Sequence, residues 1–150
     1  MDVPLPTRLF SLRDANALVS TLQGEFVRAR ELRDHLMALQ EKLSAEGRSI
    51  EGPEIEVDPA ASPEVQRLQG KAVAIIARLR ELLREVSELG VEVKQADGLV
   101  DFRSKLKGRT VYLCWKFGEE RVTHYHELDS GLAGRRQLPD DGEFVGDLLH

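Results

Sequence analysis

At Gly90 the hydrophobic period of the chain changes, and no other feature limits its fold so strongly. Before that glycine, Val65, Ala72, Leu79 and Val86 recur every seven residues, as do Leu68, Ile75, Leu82 and Leu89. This is the apolar seam of a helix, and Val73, Ile76 and Leu83 make it wider than a two-stranded coiled coil needs. After Gly90 the period falls to two. Val111, Leu113, Trp115 and Phe117 alternate with other residues in the manner of a half-buried strand. A chain that makes this switch once reads as α+β, with helices first and a sheet after them.

The helical part starts earlier. Leu9-Phe10 reads as a short extended piece, and Ser11 with Asp14 three residues on is a helix-capping pair. Leu18, Leu22, Phe26, Ala29, Leu32, Leu36, Leu39 and Leu43 then step by three and four along one face. Residues 9–46 are thus expected to form a leading strand and a first long helix. Residues 47–62, with Gly47, Gly52, Pro53, Pro59 and several acids, read as a flexible acidic tip. At Ser62-Pro63-Glu64 a hydroxyl cap, a proline and an acid restart a helix over 63–89, roughly 37 Å long in its heptad section. Gly90 stands where a C-terminal cap favours glycine. Two long helices joined by such a tip predict an antiparallel helical hairpin packed on a small, mostly antiparallel β-sheet.

The sheet region spans 91–138. Val91-Glu92-Val93 and Leu99 to Phe102 are strand candidates, Arg109 to Phe117 is another, and Arg121 to Leu128 is its return across Gly118-Glu119-Glu120. The tail, 139–150, reads as loop with a final turn at 144–149. The whole is expected to be a single domain.

Composition narrows the class of function. A net charge of −5 on 150 residues disfavours nucleic acid and acidic membrane surfaces. The longest apolar run, Ala72 to Ala77, is too short to span a bilayer, and the first residues lack the pattern of a signal peptide. One cysteine leaves no internal disulfide and suits a reducing, cytoplasmic setting.

Three segments resemble a known pattern: Phe10-Ser11-Leu12-Arg13-Asp14-Ala15-Asn16-Ala17-Leu18; Gly90 to Lys94 with Gly98 to Phe102; and Cys114 to Glu119 with His126-Glu127 and Gly131 to Arg136. Together they resemble a bacterial family described as domain of unknown function 2203, over about residues 9–138, with the motif histidine falling on His126. That family has no assigned activity, so the resemblance implies a domain boundary and no mechanism.

The chemistry concentrates near the C-terminus. His124 and His126 alternate on one strand, so their side chains share a face about 6.5–7 Å apart along the backbone. Such a pair chelates one ion when a third group joins it. A three-residue turn through Gly118-Glu119-Glu120 sets Cys114 beside His124, whereas an even-residue turn sets Leu113 and Trp115 there. The predicted metal ligands are His124, His126, Asp129, Cys114 and Asp101, for a divalent zinc, iron or manganese ion. Gly134, Arg135 and Arg136 are the candidates for binding a small anionic ligand, through backbone N–H groups and a guanidinium fork. Structural readings compete at each place: hydrogen-bonded semi-buried histidines, an inert core thiol, and an arginine tying its loop to an acid. His126 with Asp129 is the best acid–base pair, since Glu127 points to the other face. G-x-S-x-G, P-loop, H-E-x-x-H and C-x-x-C patterns are all missing, so no reaction class follows. The alternative to a ligand site is a helical-hairpin interaction module, with a homodimer through the helices.

Overall fold

The structure is a computed structural model describing residues 8–49 and 55–147. Among the described residues it holds three α-helices and a six-stranded sheet whose strand pairings are all antiparallel, an α+β arrangement. The chain divides into two compact units, one of residues up to Phe26 and from Leu83 onward, the other Val27–Leu82.

The smaller unit is helical. It contains most of α2 (Val19–Ala45) and of α3 (Pro63–Ser87). Leu39 and Leu43 of α2 form one buried cluster with Val65, Leu68 and Ala72 of α3, with Ile55 and Ala61 packed against it. The apolar stripes of both helices are thereby paired at this end. Ser62 caps α3 as its hydroxyl accepts from the Val65 N–H at 3.2 Å. In the segment between the helices, Asp58 is tied at several points. It accepts from Arg48 at 2.7 Å, its N–H donates to Gln69, and its carbonyl accepts from Gln66. The remainder of the expected acidic tip, residues 50–54, lies outside the described residues.

The larger unit carries the sheet. Its strands are β1 (Glu92–Gln95), β2 (Leu99–Leu106), β3 (Arg109–Lys116), β4 (His124–Glu127), β5 (Arg136–Gln137) and β6 (Phe144–Val145). They lie in the order β1-β2-β3-β4-β5, with β6 paired to the far end of β2. Phe144-Val145 is therefore a strand beside Leu106 and Lys105, where the sequence reading expected a turn. Two residues are too few to show a period, so the sequence carries no strand signal there.

Helix α1 (Leu12–Ala17) precedes α2, and the two part at Leu18, which keeps right-handed φ, ψ angles of −92° and −10° but bonds back only to Ala15 and Asn16. Ser11 caps α1 as expected, accepting from the Asp14 N–H at 3.1 Å. β2 and β3 are joined by Lys107-Gly108, both at positive φ (50° and 82°), the geometry of a tight two-residue hairpin. The lysine there costs about 1–2 kcal/mol and masks a turn that Asn-Gly would announce.

Strand alternation gives this sheet two unlike faces. On one, Val100, Phe102, Val111, Leu113 and Trp115 are fully buried. Phe10 meets Phe102 edge-on at 5.1 Å, and Phe26 lies 6.1 Å from Trp115. The other face is polar. No helix among the described residues is long and apolar enough to cross a membrane.

Candidate functional site

The polar face is built by register. Asp101 pairs with Cys114 and Cys114 with His124, so these three occupy one row across β2, β3 and β4. Arg103, Tyr112 and His126 occupy the next row. The β3–β4 register is the one a three-residue turn would give, with Cys114 beside His124. The ladder opens only at that pair, and residues 117–123 form a longer loop.

That loop is held from inside. The Trp115 indole donates to the Glu119 carbonyl at 2.9 Å, the Lys116 N–H donates to Glu119 Oε1 at 2.7 Å, and the Val122 N–H donates to Asn16 Oδ1 at 2.7 Å. These bonds shorten β4 to His124–Glu127 relative to the Arg121 to Leu128 expected from alternation.

Asp101, Cys114 and His126 converge. One ligand atom from each lies within 4.8 Å of the others, and all three residues are buried: Asp101 is 2%, Cys114 0% and His126 3% exposed. His126 Nε2 is 3.0 Å from Asp101 Oδ2. Its other ring nitrogen, Nδ1, is 2.7 Å from the Glu127 carbonyl oxygen. A carbonyl only accepts, so Nδ1 carries a proton and donates. In a neutral ring Nε2 is then a lone pair aimed at a carboxylate oxygen, and only a proton or a cation between them makes that contact favourable. Tyr112 covers the imidazole, its ring centroid 5.3 Å away.

Burial acts on the acids of the site. It pushes the Asp101 carboxyl above its ordinary range, against the opposing pull of His126. It also pushes the Cys114 thiol up to about 12, aided by the neighbouring Asp101 charge and opposed by Arg135. Asp101 Oδ1 is buried with no hydrogen-bond partner among the described residues. The Cys114 thiol interacts with this carboxyl as a weak donor, and a cation would satisfy the buried oxygen more fully.

The other expected residues fall around this trio. His124 is on the same face but turned aside: its Nδ1 is 2.8 Å from the Thr123 hydroxyl and 3.9 Å from Glu119 Oε2. Asp129 is exposed, and His126 faces Asp101 instead. Arg135 is mostly buried, donating to Glu119 Oε1 at 2.7 Å and to the Cys114 carbonyl at 3.3 Å. Arg136 is exposed on β5. Gly134 is needed for close approach, because a Cβ there would stand 2.4 Å from the Ser130 side chain. The N–H groups of Gly134 and Arg135 donate to Gly131 and Leu132 carbonyls, so the loop uses them itself.

Glu119 and Tyr112 are the residues that sequence reasoning passed over. Glu119 was read only as a turn residue, although an acid in a turn opposite a buried arginine is a possible partner signal. Tyr112 joins the site only through the register, to which no local pattern points. No curated protein and no solved structure matches the chain. A family model matches residues 8–138, which takes in the whole site, and the chain belongs to the family described as Uncharacterized conserved protein (DUF2203).

Proposed function

We propose that this protein binds a divalent metal ion through Asp101, Cys114 and His126. The observation that carries the reading is the His126 ring, whose Nδ1 is committed as donor to a backbone carbonyl while Nε2 faces Asp101 beside a buried thiol. Metal-bound histidines have this second-shell partner as a rule, since it fixes the tautomer and aims the free lone pair. A tetrahedral ion at about 2.0–2.3 Å from its donors separates them by roughly 3.5 Å. The His126–Asp101 pair is already near that spacing. A mixed nitrogen, oxygen and thiolate set favours zinc, then iron, over manganese.

The competing account is a buried His–Asp pair with purely structural value. It explains the 3.0 Å contact and lets the Cys114 thiol serve as a weak donor to Asp101, but it leaves Asp101 Oδ1 without a partner among the described residues. An anion site at Gly134, Arg135 and Arg136 fits less well, because the loop N–H groups and Arg135 Nη2 are already engaged and Arg136 is exposed. In the metal reading Arg135 offsets the negative charge of Asp101 and a Cys114 thiolate.

The test is elemental analysis of protein purified without chelator and reconstituted with zinc, beside His126→Ala and the shape-conserving Cys114→Val. The reading expects near-stoichiometric zinc that both variants lose. A folded wild-type protein that takes up no zinc, or a Cys114→Val variant that retains all of it, would overturn it.

The helices support a second reading that is compatible with the first. In it they pair as a hairpin and offer a surface to a second copy. A groove of about 420 Å³ in the helical unit, floored by Leu39 and Ile75 and rimmed by His35, Lys42 and Lys71, favours such an interaction role. Light scattering at micromolar concentration tests it, with a dimer expected and a strict monomer counting against it.

A further inference from the structure

We infer that His124 supplies the fourth ligand, so that the ion sits in a closed, four-coordinate centre with no open position for a substrate; this rests on the metal reading above. Two observations carry it, together with the spacing of paired strands. His124 is the direct cross-strand partner of Cys114, and Cys114 of Asp101, so three of the four donors stand in one row of a rigid ladder. Cross-strand partners have Cβ atoms about 4.5–5.5 Å apart, within reach of an imidazole turning about its own side-chain bonds. The three other donors are buried to 3% exposure or less, so solvent is poorly placed to fill the remaining position.

His124 is also held only lightly where it stands. Its Nδ1 shares a hydrogen bond with Thr123 Oγ1 at 2.8 Å, and the Glu119 carboxylate is 3.9 Å away. Turning toward the ion gives up that one hydrogen bond and leaves Glu119 to its 2.7 Å pair with Arg135. Metal binding would then reset the contacts of the 117–123 loop, and β2, β3 and β4 would be clamped together through one ion. A centre of this kind stabilises the fold and reports metal supply, as four-ligand zinc sites do.

The experiment uses cobalt as a spectroscopic substitute for zinc on the full chain. Wild type should give thiolate-to-cobalt absorption and the intense visible bands of a four-coordinate ion. His124→Gln should keep the thiolate absorption, weaken the four-coordinate bands and lower cobalt affinity by more than the 10–100-fold typical of a lost second-shell partner. Thr123→Val releases His124 from its present bond, and affinity should rise by about two- to tenfold, the equivalent of one hydrogen bond. Unchanged bands and affinity in His124→Gln, or no gain in Thr123→Val, would overturn the closed centre while leaving the three-ligand site standing. Absence of thiolate absorption in wild type would instead overturn the metal reading, and this inference with it.

Discussion

One sheet carries a buried centre on each of its faces, and the two are held by opposite means. The face of Phe102, Leu113 and Trp115 is apolar, and its burial is favourable in itself. The other face buries Asp101, Cys114 and His126 as deeply, among partly exposed Arg103 and His124 and exposed Lys116, and the burial of that carboxyl, thiol and imidazole is costly. The first face explains why the sheet is stable. The second calls for a cation, and this contrast is the main structural argument for a metal.

The comparison can be broken from either side, and the largest effect is expected on the apolar face. Phe102→Ala should cost about 3–5 kcal/mol through lost burial and the cavity it leaves. That loss, read by denaturant unfolding, should be the same with and without zinc. A zinc-dependent loss would mean that the two faces are not separable.

Next comes the polar face. With zinc at 100 times its dissociation constant, wild type should gain about 2.7 kcal/mol over the apo protein. Replacing both partners, as in Asp101→Val with His126→Phe, should abolish that gain. The same double variant should leave the apo protein as stable or more so, because a buried pair swapped for apolar groups is often neutral or better. An apo protein destabilised by several kcal/mol would show that the pair holds the fold and favour the structural account.

A smaller effect should follow pH. The Cys114 thiol is held up to about 12 in the folded apo protein, above its ordinary 9.0. The folded state therefore binds the proton more tightly. Its contribution to stability is full below pH 9 and is lost as pH rises through about 12. Unfolding midpoints of wild type and Cys114→Val, compared at pH 8 and pH 11, should converge at the higher pH. Parallel loss in both proteins would place the alkaline sensitivity elsewhere.

The smallest test concerns the hairpin that aligns the two rows. Gly108→Ala should cost about 1–2 kcal/mol from its φ of +82° and leave zinc affinity unchanged. A large fall in zinc affinity would mean that the register itself is delicate.

What the sequence made legible follows from how locally each feature is encoded. The change of period at Gly90, the caps at Ser11 and Ser62 and the alternation of Val111, Leu113 and Trp115 are local, and each has its counterpart in the structure. β3 nonetheless ends before Phe117 and buries Tyr112 and Cys114 on its other face as well. The site is not local. His126 meets Asp101 across 25 residues of chain, and which pair faces which depends on the β3–β4 register. The sequence offered two registers and could not choose, because bonds from Trp115 and Lys116 into the loop and from Val122 to Asn16 shape the loop that sets it. Asp101, Cys114 and His126 were all named from sequence, but among neighbours such as Asp129 that chain proximity alone brought in. The third strand pairing of β2, at Phe144-Val145, left no pattern at all.

The most direct measurement is anomalous diffraction at the zinc absorption edge from crystals of the zinc-reconstituted protein. The account predicts one strong peak bonded to Asp101, Cys114 and His126, at about 2.0–2.3 Å from each donor. No peak among these three side chains, in crystals that hold zinc elsewhere or none, would contradict it.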